Sequence, residues 1–252
     1  MISLSGVSKS HGGRRVLDDV SLSIARGSFV ALVGQSGAGK TTLLKAINRL
    51  VEIDAGTISV DGVEIKEQPV TALRHRIGYV FQGIGLFPHM TVGQNVWLVP
   101  RLMAMPTAQR AERIAELLAL VALPPDLIDR FPAQLSGGQA QRVGFARALA
   151  ASPSIMLMDE PFGALDPVTR SELGGAYRAL HERMGLTSLL VTHDMAEALL
   201  LADRVIVLGE GRVLADQTPH ELIRYRGDPR ITAMIDAARL SASRLEALAK
   251  GG

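Results

Sequence analysis

Phe29-Val30-Ala31-Leu32-Val33-Gly34-Gln35-Ser36-Gly37-Ala38-Gly39-Lys40-Thr41-Thr42 is the stretch that decides the fold class. Its first five residues form a continuous apolar run, which reads as a strand buried on both faces. The run enters a loop with three glycines, and Thr41 to Ala46 reads as the helix that follows. Glycine at 34, 37 and 39 lets the backbone bend close to a compact anion, with successive N–H groups pointing inward. The helix presents its positive end to the same place. Lys40 can reach the outer phosphates of a nucleoside triphosphate, and the Thr41 hydroxyl can bind Mg2+. Average composition yields this glycine–lysine spacing by chance in roughly one chain in a hundred of this length. Here it also sits between a buried strand and a helix, as the mechanism requires. Gln35, Ser36, Ala38 and Thr42 complete the cradle.

Further along the chain, Ile155-Met156-Leu157-Met158-Asp159-Glu160-Pro161 is an apolar strand ending in two carboxylates. A carboxylate on a buried strand end is costly unless it is paired or close to a cation. Asp159 suits a holder of Mg2+, and Glu160 can face the γ-phosphate and polarise an attacking water. Residues 134–142 read Gln-Leu-Ser-Gly-Gly-Gln-Ala-Gln-Arg. Ser136-Gly137-Gly138 begins a helix running through Arg142, Phe145 and Ala146. The free N–H groups of that helix, its dipole and the Ser136 hydroxyl suit a second phosphate contact. A lone Ser-Gly-Gly would be an ordinary helix cap. A lone histidine, His193 in Leu190-Val191-Thr192-His193-Asp194, follows another apolar strand.

The remaining pattern fills in an α/β core. Ser21 to Ile24 alternates like a half-buried strand, Ile58 to Gly62 is strand then turn, and Ile77 to Phe81 is a strand. The middle, from about Val92 to Ala151, reads helical. Thr107 is placed there as a helix N-cap, and Ile114, Leu117, Leu118 and Val121 follow at helical spacing until Pro124-Pro125. Strands return at Ile155–Met158, Ser188–Val191 and Val205–Leu208, and Gly209-Glu210-Gly211 turns the last of these back into Val213–Ala215. Helices between the earlier strands imply parallel crossovers. The tail from about Ile231 to Lys250 reads helical.

Bulk properties exclude several classes. The chain has 252 residues, 47% of them hydrophobic, which is enough for a real core. There is no cysteine, hence no disulfide and no cysteine zinc site. With 27 basic and 25 acidic residues and no basic run longer than Arg14-Arg15, there is no nucleic-acid footprint. Met1-Ile2-Ser3-Leu4-Ser5 has no basic region followed by an apolar core and does not read as a signal peptide. Ile77 to Pro100 contains no Asp, Glu, Lys or Arg over 24 residues, yet its glutamines, prolines and glycines argue against a lipid-facing helix. It reads as an uncharged surface that another protein covers.

The ordered set of glycine loop, Leu135-Ser136-Gly137-Gly138-Gln139, Asp159-Glu160 and His193 resembles the nucleotide-binding subunit of ABC transporters, from about Met1 to about Arg224. The resemblance implies an α/β P-loop NTPase of the ABC type, with a mainly parallel sheet core, an N-terminal antiparallel β subdomain and a helical insertion. Its division would be an ATPase domain over 1–228, with a helical subdomain at about 92–151, and a helical tail over 229–252. It implies a head-to-tail homodimer in which each ATP lies between the Lys40 loop of one chain and Ser136, Gly137, Gly138 and Gln139 of the other. Gln82 then corresponds to a glutamine that contacts metal or water, His193 to a switch histidine on the γ-phosphate, and Asp166 to a loop that crosses the interface. Leu86, Phe87 and Met90 would line a groove receiving a short helix of a transmembrane permease subunit. His11 stands where the family usually carries a Tyr that stacks on adenine, and imidazole offers less stacking area than a phenol ring.

Ile77 to Gln82, Ile84 to Thr91, Ile47 to Glu52 and Asp159 to Thr169 resemble the osmoprotectant branch, whose importers carry glycine betaine, choline and carnitine with the help of a substrate-binding protein. The expectation is an ATP- and Mg2+-dependent subunit, peripheral on the cytoplasmic face of the bacterial inner membrane, with no nucleic-acid partner. Some members carry a C-terminal pair of regulatory domains. This sequence ends at Gly252, so the expected importer lacks that tail-borne regulation. The rivals are an importer ATPase for another solute such as an amino acid, a soluble ABC ATPase acting on ribosomes or DNA, and an ATP-holding regulatory module. A single cassette without a coiled-coil insertion argues against the second. Glu160 and His193 argue against the third.

Overall fold

A computed structural model describes residues 2–83, 85–163 and 165–249, with side chains through Leu240. Ile84, Ala164 and Lys250, which the sequence assigns to the docking loop, the interface loop and the tail, lie outside the described residues. The chain opens with a hairpin, β1 (Ile2–His11) and β2 (Arg14–Ile24). β4 (Ala55–Val60) pairs with β1, and β5 (Val63–Glu64) with β4, so this four-stranded sheet is antiparallel throughout. β2 extends well before the alternation at Ser21, because Asp19 takes a left-handed backbone (φ 54°) and a bulge absorbs the break in pattern.

The second sheet has β3 (Phe29–Val33) near its middle. The other members are β6 (Ile77–Val80), β7 (Ile155–Asp159), β8 (Thr187–Thr192), β9 (Arg204–Gly209) and β10 (Arg212–Gln217). Their order is β10-β9-β3-β8-β7-β6. All pairs are parallel except the edge pair β9–β10. Every residue of β3, β6, β7 and β8 is buried. Alternate side chains feed two cores, one on each face. Val30 and Leu32 join α1 (Lys40–Ile47) and the antiparallel sheet. Phe29, Ala31 and Val33 join the helical side.

That helical side holds α3 (Val92–Val96), α4 (Leu98–Leu102), α5 (Arg110–Leu120), α6 (Gly137–Leu149), α7 (Pro167–Met184) and α8 (Met195–Leu201). A short α2 (Val70–His75) precedes β6, and α9 (Pro219–Arg224) precedes α10 (Pro229–Ala249). α10 enters the main core through the fully buried Ile231 and Ile235.

Two local expectations are corrected. Thr107 is not the cap of α5. It begins a 3-10 turn, Thr107–Gln109, preceded by the extended Pro106 (ψ 127°), and α5 starts at Arg110 without a side-chain cap. A cap residue must itself be extended, and proline had already taken that position. α5 then stops at Leu120, ahead of Pro124-Pro125, and Ala122 turns left-handed (φ 52°). The uncharged stretch 77–100 is also not one covered surface. β6 is interior, and so is the segment Val92–Trp97 apart from Gln94, while the described residues of the loop between them are largely exposed, with Phe81 and Phe87 about two-fifths exposed.

Candidate functional site

The carboxyl ends of β3, β6, β7 and β8 lie side by side, and the loops leaving them carry most of the candidate residues. This is the sheet edge where open α/β folds place ligands. After β3, the loop turns at Gly37 (φ 80°) and Gly39 (φ 100°). A Cβ on Gly39 would strike the Val16 carbonyl and the Leu17 side chain, and one on Gly34 would strike the Leu208 carbonyl. The glycines are thus required by close neighbours as well as by backbone sign. Gln35, Ser36 and Gly37 face outward, whereas Ala38, Gly39 and Lys40 are buried. α1 begins at Gly39 with no side-chain cap, so its first N–H groups remain available to an anion. Thr42 follows in its first turn. A cavity of about 240 Å³ opens against the same loop, lined by Arg14, Gln35, Ser36, Gly37, Leu208 and Glu210.

Lys40 folds back onto its own loop. Its Nζ donates to Gly34 O at 2.7 Å and to Gln35 O at 3.0 Å. Burial holds its pKa below the usual lysine value, opposed by the charges of Glu160 and Asp159. Thr41 Oγ1 donates to Asp159 Oδ1 at 2.9 Å. Burial raises the Asp159 carboxyl, and the Thr41 hydrogen bond and the nearby Lys45 and Lys40 lower it in part. A buried, poorly neutralised carboxylate beside a hydroxyl is an all-oxygen donor pair suited to a hard divalent cation.

Glu160, Gln82 and His193 meet at one atom. Glu160 Oε2 accepts from Gln82 Nε2 at 3.3 Å and lies 3.3 Å from His193 Nδ1. These residues leave β7, β6 and β8 respectively. Glu160 holds a left-handed backbone, φ 45°, which a non-glycine residue rarely adopts and which concentrates at functional sites.

The other candidates lie apart. Ser136 caps α6, accepting Gln139 N–H at 3.2 Å, while the Gln139 side chain accepts Ser136 N–H at 3.0 Å. Gly137 and Gly138 follow in the first turn. Among the described residues, no hydrogen bond or ion pair joins Ser136–Gln139 to residues 34–42. Asp166 caps α7, accepting from Val168 N–H at 3.1 Å and Thr169 N–H at 3.0 Å, and the Thr169 side chain, with these N–H groups, holds its carboxyl below the ordinary range. His11 is exposed at the tip of the β1–β2 hairpin, opposite Arg14. In the loop after β6, Phe87 is exposed, while Leu86 and Met90 are half-buried and Leu86 packs on the core.

Several organising residues carried no sequence signal. Asn95, fully buried, ties the loop after β6 together: its Oδ1 accepts Phe87 N–H at 2.8 Å and its Nδ2 donates to the carbonyls of Phe87, Met90 and Thr91. Arg147 on α6 donates to Gly85 O at 2.6 Å, and Gln141 on α6 to Pro161 O at 2.6 Å. The Phe145 and Phe162 rings stack at 5.5 Å. The helix that begins at Ser136 is therefore fastened to the loops after β6 and β7.

This sheet edge, with a glycine loop leading into an uncapped helix and an acidic strand end beside it, defines a P-loop nucleotide-binding protein. Residues 17–163 match the sequence pattern of the ABC transporter family. The chain is 49% identical over 241 residues to the choline transport ATP-binding protein OpuBA of Bacillus subtilis, covering 95% of this chain and 63% of that protein. It is 51% identical to the glycine betaine uptake system ATP-binding protein YehX of Escherichia coli, covering 87% of this chain and 71% of that one. A solved dimeric ATP-binding cassette in a post-hydrolysis state, bound to ADP and Pi, superposes with a TM-score of 0.80 at 35% identity, over 87% of this chain and 99% of that one. The chain belongs to the ABC transporter family, and its fold is the α/β P-loop NTPase fold of the ABC type. Among the described residues, no helix is long and apolar enough to cross a membrane.

Proposed function

We propose that this chain is the ATP-hydrolysing subunit of a bacterial importer for an osmoprotectant such as glycine betaine, choline or carnitine. The observation that carries the hydrolytic reading is the meeting of Gln82 and His193 on Glu160 Oε2, beside the Thr41–Asp159 pair. Residues 1–228 serve as the ATPase domain, with a helical subdomain at about 92–151, and 229–252 as a helical tail.

In this reading the N–H groups of residues 34–42 and Lys40 hold the ATP phosphates. Lys40 exchanges its bonds to Gly34 O and Gln35 O for phosphate oxygens. Thr41 and Asp159 are the residues that would hold Mg2+, assisted by Gln82, and the bound ion supplies neutralisation of charge on the outer phosphates. Glu160 accepts a hydrogen bond from the attacking water and polarises it. His193 donates to the γ-phosphate and Gln82 steadies the carboxylate. The water oxygen bonds to the γ-phosphorus, the bond to the bridging oxygen breaks, ADP leaves with that oxygen, and the released proton passes to Glu160 or phosphate.

Ser136, Gly137, Gly138 and Gln139 complete the site of a partner chain in a head-to-tail homodimer, with Asp166 at the crossing. Ser136 can cap its own helix and still donate its O–H, since a hydroxyl carries one donor and two acceptor positions. His11 stacks on adenine. Phe87, with Leu86 and Met90, meets the permease. The subunit is peripheral on the cytoplasmic face of the membrane, and a substrate-binding protein delivers the solute.

The similarity to choline and glycine betaine transport proteins supports the solute class. In this reading the subunit need never touch the quaternary amine. Uptake of labelled glycine betaine and choline, with and without this subunit at low and high osmolarity, tests the assignment. Unchanged uptake of every quaternary amine, with loss of another solute, sinks the solute class and leaves the ATPase. Absence of Mg2+-dependent ATP hydrolysis by the purified chain sinks the ATPase itself.

A further inference from the structure

The Glu160–His193 contact joins two loops that leave neighbouring strands. Up to Asp159 and Val191 the sheet fixes their spacing, because these residues are register partners and Glu160 N–H donates to Val191 O at 2.9 Å. Beyond that point the ladder ends, and Glu160 keeps a backbone that a non-glycine residue holds only when its surroundings over-determine it. Tight turns wind the loop onward: Gly163 N–H donates to Glu160 O at 3.3 Å and Leu165 N–H to Phe162 O at 3.1 Å.

Arg170, in the first turn of α7, closes both loops at once. Its Nη2 donates to Leu165 O at 3.1 Å, at the end of the Glu160 loop. Its Nη1 lies 3.6 Å from Asp194 Oδ2, on the residue after His193. Asp194 is itself rigidly placed: Oδ1 caps α8 through Ala196 N–H at 2.9 Å and Glu197 N–H at 3.2 Å, and its N–H donates to Thr192 Oγ1 at 3.0 Å. The Nε of Arg170 is buried without a hydrogen-bond partner, and besides its two head-group contacts the guanidinium feels the charge of Glu197. Guanidinium suits this task because its planar fork serves two acceptors in fixed relation.

We infer that Arg170 is a positioning residue for hydrolysis, clamping the Glu160 loop to the His193 loop so that Glu160 Oε2 and His193 Nδ1 keep their 3.3 Å approach. The inference rests on the ATPase reading. Arg170 also anchors Leu165, the residue before Asp166, so the geometry of the pair is tied to the loop proposed to meet a second copy of the chain.

The test is steady-state ATP hydrolysis by the purified full chain with Mg2+. Arg170→Met keeps the stem and removes the fork. It should lower kcat by about tenfold with KM for ATP within about twofold, as expected for misplaced rather than missing catalytic groups. Arg170→Lys should recover part of the loss. Asp194→Asn keeps the α8 cap but not the charge; it should lower kcat by about threefold, and in the double variant add nothing to the Met effect. Arg178→Met, also on α7, which breaks ion pairs to Glu182 on that helix and to Asp203 before β9, should lower the melting temperature and leave kcat unchanged. Wild-type kcat in Arg170→Met, or losses in Arg170→Met and Asp194→Asn that multiply, overturns the clamp. If Arg170→Met does not fold, wild-type kcat in both Arg170→Lys and Asp194→Asn overturns it. A wild-type chain without Mg2+-dependent turnover removes the ATPase reading and the clamp together; normal wild-type turnover with unaffected variants removes only the clamp.

Discussion

Two helix N-termini in this chain are suited to negative charge, and they are built in opposite ways. At α1 the cap is Gly39, with no side chain to satisfy the first N–H groups, and a buried lysine and an acidic strand end stand beside it. At α6 the cap is Ser136, whose capping box with Gln139 occupies the Ser136 and Gln139 N–H groups, while no described hydrogen bond uses those of Gly137 and Gly138. The first terminus sits beside Lys40 and the Thr41–Asp159 pair, on the sheet edge where Gln82, Glu160 and His193 meet. The second carries a capping box, is exposed at Ser136 and Gly137, and is joined to residues 34–42 by no described hydrogen bond or ion pair. An end without a side-chain cap leaves its N–H groups to water or an anion, whereas a capping box fixes the shape of the first turn and still leaves N–H groups free for an anion, the role proposed for α6 towards a second chain.

The largest expected effect tests the α1 side. Glu160→Gln should lower turnover by about a hundred- to a thousandfold while ATP binding persists, because the phosphate cradle is untouched and only water activation is lost. Gel filtration with ATP and Mg2+ should then give a stable dimer; normal turnover removes Glu160 from the mechanism.

The next test asks whether the two ends really serve one site. Lys40→Ala and Ser136→Ala chains should each be nearly inactive alone. Equal mixing should recover about a quarter of wild-type turnover, since half the dimers are mixed and each has one intact site. No recovery breaks the comparison, and cross-linking from Ser136 to bound ATP then separates sites within one chain from obligatory coupling of two sites.

A smaller effect concerns stability. Burial raises the Asp159 carboxyl in the folded chain. Folding therefore takes up a proton there, and stability present at low pH is lost as pH rises through the folded-state value. Asp159→Asn keeps an acceptor for Thr41 Oγ1 and removes the charge. It should raise the melting temperature at neutral pH by about 2–4 °C, lose that advantage in acid and abolish hydrolysis. Equal melting curves across pH would show that the charge costs nothing where it lies.

The smallest effect lies at the edge of the α1 site. His11→Tyr should tighten ATP binding by about 0.5–1 kcal/mol and sharpen discrimination against GTP through added stacking area. Unchanged competition places His11 off the base.

Local patterns read well because their causes are local. Apolar runs predicted β3, β7, β8 and β9 within a residue or two, and Ser136 and the glycines around it predicted the start of α6. Thr107 misled because Pro106 occupied the extended position that a cap requires. The uncharged stretch 77–100 misled because absence of charge does not distinguish a core from a docking surface.

The sequence by itself determined the phosphate loop, the acidic strand end, the alternation of strands and helices and the membership of the ABC transporter family. Each of these is written in the backbone freedom of glycine, in burial periodicity or in motifs a few residues long. Only the tertiary structure decided that Gln82, Glu160 and His193 meet on one oxygen, that Glu160 is held left-handed, and that Arg170, Arg147, Gln141 and Asn95 fasten the surrounding loops. Those contacts depend on the order in which the strands are laid side by side and on how far a guanidinium or amide can reach across them. Neither leaves a period or a spacing in the chain.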